Sequence, residues 1–232
     1  YLGLEIEVYA PDDETLRDVM ADPTFADMGI SLDGSLNSDS YGIEYKTPPQ
    51  QGDLFATWLR ALTTTLNHRS YRSHTDCGFH VHADARTFTP SQFRTLIMLA
   101  RTYERVWYAM LPKRRQTGTW ALPVGLTRTD FDQSWLTPQD VFAHWCKPKN
   151  GHGIRYHGLN LTAFTRWQTV EWRYHHGTLN TEILLLWCRI VAATMDAAQT
   201  LDSVKIPRRF RGFEQRFRRL LWCRIVAAAR EA

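Results

Sequence analysis

Two histidines, at positions 80 and 82, have a spacing that could support chemistry. Residues 77–82 read Cys-Gly-Phe-His-Val-His. Because side chains alternate between the two faces of a strand, His80 and His82 would point to one face while Phe79 and Val81 point into a core. Such a pair could bind a metal ion, or it could be no more than the polar face of a strand. The surrounding segments must decide between these interpretations.

Carboxylates follow the same spacing elsewhere in the chain. Glu5 and Glu7 alternate with apolar residues, and Glu44 and Glu171 each lie in a later segment of the same kind. An isolated Glu-x-Glu pair is usually a solvated strand face. If these faces converge, however, carboxylates about 4 Å apart repel each other by roughly 4 kcal/mol at an effective dielectric near 20, and bound cations would offset that repulsion. Carboxylate oxygens with a single imidazole favour Mg²⁺ or Mn²⁺, whereas zinc favours more nitrogen or sulfur.

Strands separated by helices must position these side chains. A period-two alternation predicts five strands, over residues 1–9, 41–47, 77–82, 159–164 and 169–175. One face of the last strand would be apolar, and its other face would carry Glu171, Arg173 and His175.

Helical spacing of apolar residues predicts the covering elements. It predicts helices over residues 52–67, 90–110 and 182–201, and a shorter one that ends near Ala21. A capping box, Thr89-Pro90-Ser91-Gln92, precedes the second of these. The turn-rich residues 113–135 predict a long loop or lid.

Composition limits the class of protein. With 232 residues, of which 44% are hydrophobic, the chain can form one large or two small globular domains. Its four cysteines are scattered without Cys-x-x-Cys spacing, so we expect free thiols and no zinc knuckle. It contains neither a long apolar run nor a secretory signal pattern, and we therefore expect a cytoplasmic protein.

Five short motifs, taken in order, resemble those of the amidoligase family. This family belongs with glutamine synthetase and glutamate-cysteine ligase. Each motif is short, so the resemblance rests on the ordered set rather than on any one member. The motifs are Gly3-Leu4-Glu5-Ile6-Glu7, Asp33-Gly34-Ser35-Leu36, Gly42-Ile43-Glu44, Cys77-Gly78-Phe79-His80-Val81-His82 and Val170-Glu171-Trp172-Arg173.

The resemblance implies an α+β catalytic domain over residues 1–203, similar to that of glutamine synthetase. Its sheet would be curved and mainly antiparallel, with helices on the outer face, and its concave face would bind ATP and two or three Mg²⁺ or Mn²⁺ ions. By this resemblance Glu7 and Glu44 would bind one ion, and the ion that bridges the ATP phosphates would be held by Glu5, His80 and Glu171. Arg173 would clamp the transferred phosphoryl group, and together with Glu171 it would be catalytic.

The reaction implied by the resemblance is ATP-dependent amide formation through an acyl phosphate. The substrates would be an amine and a small-molecule, peptide or protein carboxylate. No Walker glycine loop occurs, which is consistent with phosphates held by metal ions. His82, Asn160 and Arg155 are candidates for nucleotide or substrate contact, although each could equally be a structural polar group. Asp33 could orient the amine, but Asp-Gly is also a common turn signal.

Two other functions remain open from the sequence. One is a catalytically silent member of the fold that serves as a basic binding or structural module. The other is a metal-dependent hydrolase that uses the same ions. A requirement for ATP and the formation of ADP would distinguish the ligase from the silent module and from the hydrolase.

The basic character of the chain is concentrated after residue 203. Residues 205–219 contain seven basic residues and one glutamate, a local charge of +6, while the whole chain carries +4. The rest of the protein is therefore slightly acidic, at −2. We treat residues 204–232 as a separate basic segment, which could bind an acidic partner or nucleic acid or mediate oligomerisation, or could be a solvated helix.

Deletion of residues 205–219 is expected to leave ATP turnover largely intact, because this segment lies outside every motif of the resemblance. Salt-sensitive binding to polyanions should fall, since lysines and arginines neutralise phosphates or acidic surfaces. Turnover and polyanion binding of the full and shortened chains would be compared. A shortened chain that folds but loses turnover would make the segment part of the active site.

Overall fold

Alternating apolar and polar residues form an open, six-stranded antiparallel sheet. We describe it in a computed structural model that covers residues 1–33, 36, 41–74, 76–124 and 154–201. The spatial order is β2-β3-β1-β4-β6-β5, with every pair antiparallel. The strands are β1 (Leu2–Ala10), β2 (Gly29–Leu32), β3 (Tyr41–Lys46), β4 (Gly78–Asp84), β5 (Leu159–Asn160) and β6 (Thr169–His176).

Six α-helices accompany the sheet within the described residues. Asp12 and Thr89 cap the first and third of them, and the capping box predicted from Thr89 and Gln92 is complete. No described helix combines the length and apolar character that crossing a membrane requires. The helices are α1 (Asp13–Ala21), α2 (Gly52–His68), α3 (Pro90–Ala109), α4 (Lys113–Thr117), α5 (Ala163–Trp167) and α6 (Thr181–Leu201), with 3-10 helices at Pro23–Phe25 and Ile154–Tyr156.

The apolar face of the sheet packs against α2, α3 and α6 in one core. Aromatic rings contribute much of its contact area: Trp107 of α3 lies 5.2 Å from Trp172 and 5.3 Å from Tyr174, measured between ring centroids. Trp187 of α6 packs against Trp107 and Tyr174. The buried apolar face leaves the polar face, with its carboxylates, on the opposite side. The predicted α+β class and mainly antiparallel sheet are therefore confirmed.

The prediction of a strand over residues 159–164 is wrong beyond Asn160. The side-chain oxygen of Asn160 accepts hydrogen bonds from the backbone N–H and the hydroxyl of Thr162, at 3.0 and 2.6 Å. This local bonding turns the chain out of the extended conformation, and α5 follows at Ala163. A period-two pattern contains no signal for such a side-chain bond.

Two other segments differ from the sequence prediction. Residues 113–117 form α4 rather than the beginning of a loop. Residues 125–135 of the predicted lid lie outside the described part of the chain, and so does the basic segment 204–232. The edge strand β2 was not predicted. Ile30 and Leu32 alternate with Gly29 and Ser31, but the strand is only four residues long and has no buried residue, so the run is too short to mark a strand.

A β-bulge in β6 changes the face on which His175 lies. Val81 pairs with Trp172 but Phe79 pairs with His175, so β6 has one residue more than β4 between these pairs. His175 consequently packs on the core side, 6.0 Å from the ring of Phe79 and 5.3 Å from Trp187. Its predicted position on the face of Glu171 and Arg173 is therefore wrong.

A buried carboxylate, Glu104 of α3, fixes the residues that follow α4. Its Oε1 atom accepts hydrogen bonds from the backbone N–H of Val124 at 2.6 Å and from the hydroxyl of Tyr174 at 3.0 Å. Burial raises the pKa of Glu104 to about 7, although both hydrogen bonds act in the opposite direction. The folded protein thus favours the neutral carboxyl group.

Glu104→Gln should flatten the pH dependence of folding stability. Because the folded pKa is raised above the unfolded value near 4.5, Glu104 favours folding fully below pH 4.5, and this contribution is lost as the pH rises through about 7. The loss amounts to roughly 3 kcal/mol, and glutamine keeps the Oε1 acceptor but does not titrate. Urea unfolding at pH 5 and pH 8 measures the difference. An identical pH dependence in both proteins would contradict the raised pKa.

Candidate functional site

The strand register brings the predicted site residues into direct opposition on the polar face. Glu7 of β1 pairs with Glu44 of β3, and Glu5 pairs with His80 of β4. His82 in turn pairs with Glu171 of β6. Side chains of directly paired residues lie on the same face of a sheet with Cβ atoms about 5 Å apart. Four neighbouring strands therefore contribute to one site.

The buried imidazole of His80 lies at the centre of this site. Its Nδ1 atom is 3.1 Å from a Glu5 oxygen and 3.5 Å from a Glu171 oxygen. Its Nε2 atom is 3.6 Å from a Glu7 oxygen. One imidazole ring thus contacts three carboxylates, two at Nδ1 and one at Nε2.

Three groups of potential ligands have their donor atoms within 4.8 Å of one another. One group consists of Glu7 and Glu44 with Asp33, and the second joins Glu5 and Glu44 to His80. The remaining group consists of Glu5, His82 and Glu171. The structure therefore brings together all five predicted metal ligands, and it adds Asp33 and His82 to them.

This donor set fits a hard divalent cation. Each group contains at least two carboxylates and no more than one imidazole, and cysteine is absent from all three. Oxygen-rich ligation of this kind suits Mg²⁺ or Mn²⁺ better than zinc. The nearest carboxylates also repel one another, which a bound cation would relieve.

The pKa shifts reflect this crowding of acids. Burial raises the pKa of Glu7 to about 7, with a further upward contribution from Asp33, against the hydrogen bond from the Gly78 N–H. The pKa of Glu44 is also raised, by burial and by the charge of Glu5. Burial acts to raise the pKa of Glu5 as well, but its contacts with His80 and His82 outweigh burial and lower that pKa. Among Glu5, Glu7 and Glu44, Glu5 is therefore the acid that most strongly favours its charged form.

Arg173 and Asn160 hold the two oxygens of the Glu171 carboxylate. An Arg173 Nη1 atom donates to Oε1 at 2.5 Å, and the Asn160 amide donates to Oε2 at 2.5 Å. Because the Asn160 amide oxygen already accepts from Thr162, both ends of this side chain are occupied. These bonds favour the alternative that Asn160 is a structural polar group.

The remaining predicted contact residues lie at different depths. His82 shares a 3.0 Å hydrogen bond with Thr169, and its Nε2 atom is 3.3 Å from a Glu5 oxygen. Arg155 is exposed at the rim, with its guanidinium 5.1 Å from the ring of Tyr156. Asp33 accepts a turn hydrogen bond from the Leu36 N–H and also lines the cleft, so a turn position and a site position coincide.

The site opens into a cleft of about 810 Å³. Acids of β1 and β3 line one side, and the β6 side carries Arg173 with Trp120 and the α5 residues Arg166 and Trp167. The Arg166 guanidinium lies 4.8 Å from the Trp167 ring. The cleft thus offers an acidic wall and a cationic, aromatic wall to a ligand between them.

Sequence reasoning missed Lys46 and Arg115. Lys46 Nζ lies 2.6 Å from a Glu44 oxygen, and its position two residues after Glu44 in β3 is a signal that could have revealed it. Arg115 lies in α4, is buried, and lines the cleft. No local pattern distinguishes it from its basic neighbours, because its burial depends on contacts with β6.

Gly78 leaves room for the site side chains where β4 enters the site. A Cβ atom at this position would lie 2.5 Å from His80 Nε2 and 3.0 Å from a Glu7 oxygen. It would also lie 3.2 Å from Arg115 Nη2. Three functional side chains therefore occupy the space that any other residue would need.

Comparison with known proteins yields one family. A family model described as "Putative amidoligase enzyme" matches residues 8–195. No curated protein and no solved structure gives a significant match. The matched region contains Glu44, His80, Glu171 and Arg173, and it covers most of the sequence. On this match, in agreement with the ordered motifs, the chain belongs to the amidoligase family.

Proposed function

We propose that this protein is an ATP-dependent carboxylate-amine ligase that forms ADP. The observation that carries the proposal is the convergence of Glu5, Glu7, Glu44 and Glu171 around His80, with Arg173 bonded to Glu171 beside them. A scaffold protein gains nothing from crowding carboxylates, whereas phosphoryl transfer needs such cation sites and a guanidinium. The family match supports the ligase class. A fold like the glutamine synthetase catalytic domain is part of this proposal.

Mg²⁺ or Mn²⁺ would be held by Glu7, Glu44 and Asp33 at one end and by Glu5, His80 and Glu171 towards the other, with His82 adjacent. When bound, these ions would neutralise the phosphates of ATP and the developing charge of phosphoryl transfer. Lys46 and Arg173 already supply positive charge at the two ends of the carboxylate row. The protein's own cations therefore complement what the ions would provide.

The proposed reaction has two steps. An oxygen of the substrate carboxylate attacks the γ-phosphorus of ATP, and ADP leaves as an acyl phosphate forms. An amine that arrives as an ammonium first gives a proton to solvent, and the neutral amine then attacks the acyl carbon. Phosphate leaves and takes up the second proton that the nitrogen loses. Arg173 would orient the transferred phosphoryl group, because its guanidinium can donate several hydrogen bonds in a fixed plane. Asp33 on the acidic wall would attract the amine as a cation.

Divalent metal should stabilise the protein through the carboxylate row. Saturating Mg²⁺ at about 100 times its dissociation constant adds about 2.7 kcal/mol to folding stability. For a protein of this size this raises Tm by roughly 5 to 10 °C. Glu5→Gln should abolish most of this rise, since Glu5 belongs to two of the three ligand groups. Thermal melting with and without Mg²⁺ or Mn²⁺ measures the effect.

The matched control for this experiment is Glu182→Gln. Glu182 is an exposed glutamate of α6 that pairs with Arg60 outside the cleft. Its substitution should leave the metal-dependent rise in Tm unchanged. Equal rises in wild type and Glu5→Gln would show that the metal binds elsewhere.

Hydroxylamine should trap the activated acyl group. With ATP, Mg²⁺ and a suitable carboxylate from a broad panel of amino acids and peptides, the enzyme should release ADP and phosphate and form a hydroxamate. Arg173→Ala should slow ADP formation by about 10³-fold, on the scale of removing an arginine that stabilises phosphoryl transfer. Glu171→Ala should cause a comparable loss, because it removes a proposed metal ligand. Arg60→Ala, on the exposed surface, is the control.

Other products would identify other functions. AMP and pyrophosphate in place of ADP would indicate an acyl-adenylate route. Metal-dependent cleavage of an amide without ATP would indicate a hydrolase. Metal binding without any turnover over the whole panel would favour a silent member of the fold.

A further inference from the structure

The bulge in β6 lies directly opposite His80. One residue of β4 separates Phe79 from Val81, whereas two residues of β6, Arg173 and Tyr174, separate their pairing partners. Bulges of this kind shift the side chains of the longer strand by one position and disrupt the local ladder. The bulge therefore lies beside His80, at the β6 end of the carboxylate row.

Without the bulge, the same strand would bury its functional residues in the core. Continuing the pairing of Phe79 with His175 at constant register would place Trp172 opposite His82 and Glu171 opposite Ala83. A shift of one residue exchanges the two faces of a strand. The bulge lets His175 stay in the core at one end while Glu171 pairs with His82 at the other.

Arg115 binds the backbone of both bulged residues. Its Nη2 atom donates to the Arg173 carbonyl at 2.8 Å, and its Nε atom donates to the Tyr174 carbonyl at 3.3 Å. Arg115 is only 6% exposed, so these bonds form in a largely dry environment. On the other side of the strand, the Arg173 N–H donates to the Gly158 carbonyl at 2.7 Å. Arg173 is thus held by its backbone from two sides.

The local geometry indicates why an arginine is used here. The planar guanidinium offers several donors in a fixed arrangement, so one side chain can bind two successive carbonyls. Its Nη2 atom also lies next to the space shared by His80 and Glu7 at Gly78. Two backbone acceptors occupy two of the five N–H donors of this buried cation, and the nearby Glu7 carboxylate offsets its charge.

We propose that Arg115 is a positioning residue that fixes the bulge in β6 and thereby holds Arg173 and Glu171 on the site face. The kinetic part of this proposal rests on the proposed ligase function. The structural part does not depend on it. Arg115 touches no reacting atom in this proposal and acts on Arg173 and Glu171 through the backbone of β6.

Hydrogen exchange of the backbone tests the structural part without any activity assay. Arg115→Met should speed amide exchange in peptides that cover residues 169–176. Arg114→Met, a change to the exposed neighbour in the same helix, should not. Arg115→Lys should give an intermediate result, because an ammonium group lacks the planar pair of donors. The Arg115→Lys variant also serves as the test protein if Arg115→Met does not fold. Unchanged exchange in β6 in the folded variants would overturn the proposal.

A double-mutant cycle tests whether Arg115 acts through Arg173. Arg115→Met alone should lower kcat for hydroxamate formation by about 10²-fold, the scale expected for misplacing a catalytic group by about 1 Å. In an Arg173→Ala background the same change should cost clearly less, about tenfold or below, because only the part of its effect that acts through Glu171 remains. An equal loss in both backgrounds would mean general destabilisation and would overturn the proposal. If wild type forms no hydroxamate, the ligase proposal fails, and exchange in β6 alone decides the role of Arg115.

Discussion

Mutual repulsion among buried carboxylates is the constraint on which this structure depends. Glu5, Glu7, Glu44 and Glu171 project from three strands towards the single imidazole of His80. Like charges at such distances oppose folding unless cations or shifted pKa values offset them. The protein uses both means: Lys46 and Arg173 pair with the outer acids, and Glu7 has its pKa raised to about 7. A site that is costly to assemble must be held by the rest of the fold.

The opposite face of the sheet supplies the free energy that holds it. Most strand residues that point away from the carboxylates enter a continuous core with α2, α3 and α6, and the largest side chains are among the most completely buried. Burial of apolar area stabilises by about 25 cal/mol per Å². Trp172 and Glu171 are adjacent in sequence, so the indole that anchors β6 in the core also fixes the carboxylate on the other face. Stability and site geometry are thus coupled residue by residue.

The two walls of the cleft differ in chemistry. β1 and β3 supply acids, whereas Arg173, Arg166 and the indoles of Trp120 and Trp167 lie on the β6 side. Such asymmetry suits a reaction that brings an anionic phosphoryl donor and a cationic amine to one carboxylate. Two predicted contact residues also differ in their surroundings: Asn160 is hydrogen-bonded at both ends of its side chain within the protein, whereas Arg155 is exposed at the rim.

The sequence by itself determined most of the strand faces and the ordered motifs, because alternation and helical spacing are local properties of the chain. From these it was possible to predict that Glu5, Glu7, Glu44, His80 and Glu171 share a face, and to expect the amidoligase family. Only the tertiary structure decided which strands are neighbours, since pairing depends on contacts between residues far apart in sequence. It placed Asp33 beside Glu7, moved His175 into the core through a bulge, and buried Arg115 against β6. A bulge has no local signature, because the extra residue is defined by the partner strand and not by the strand that contains it.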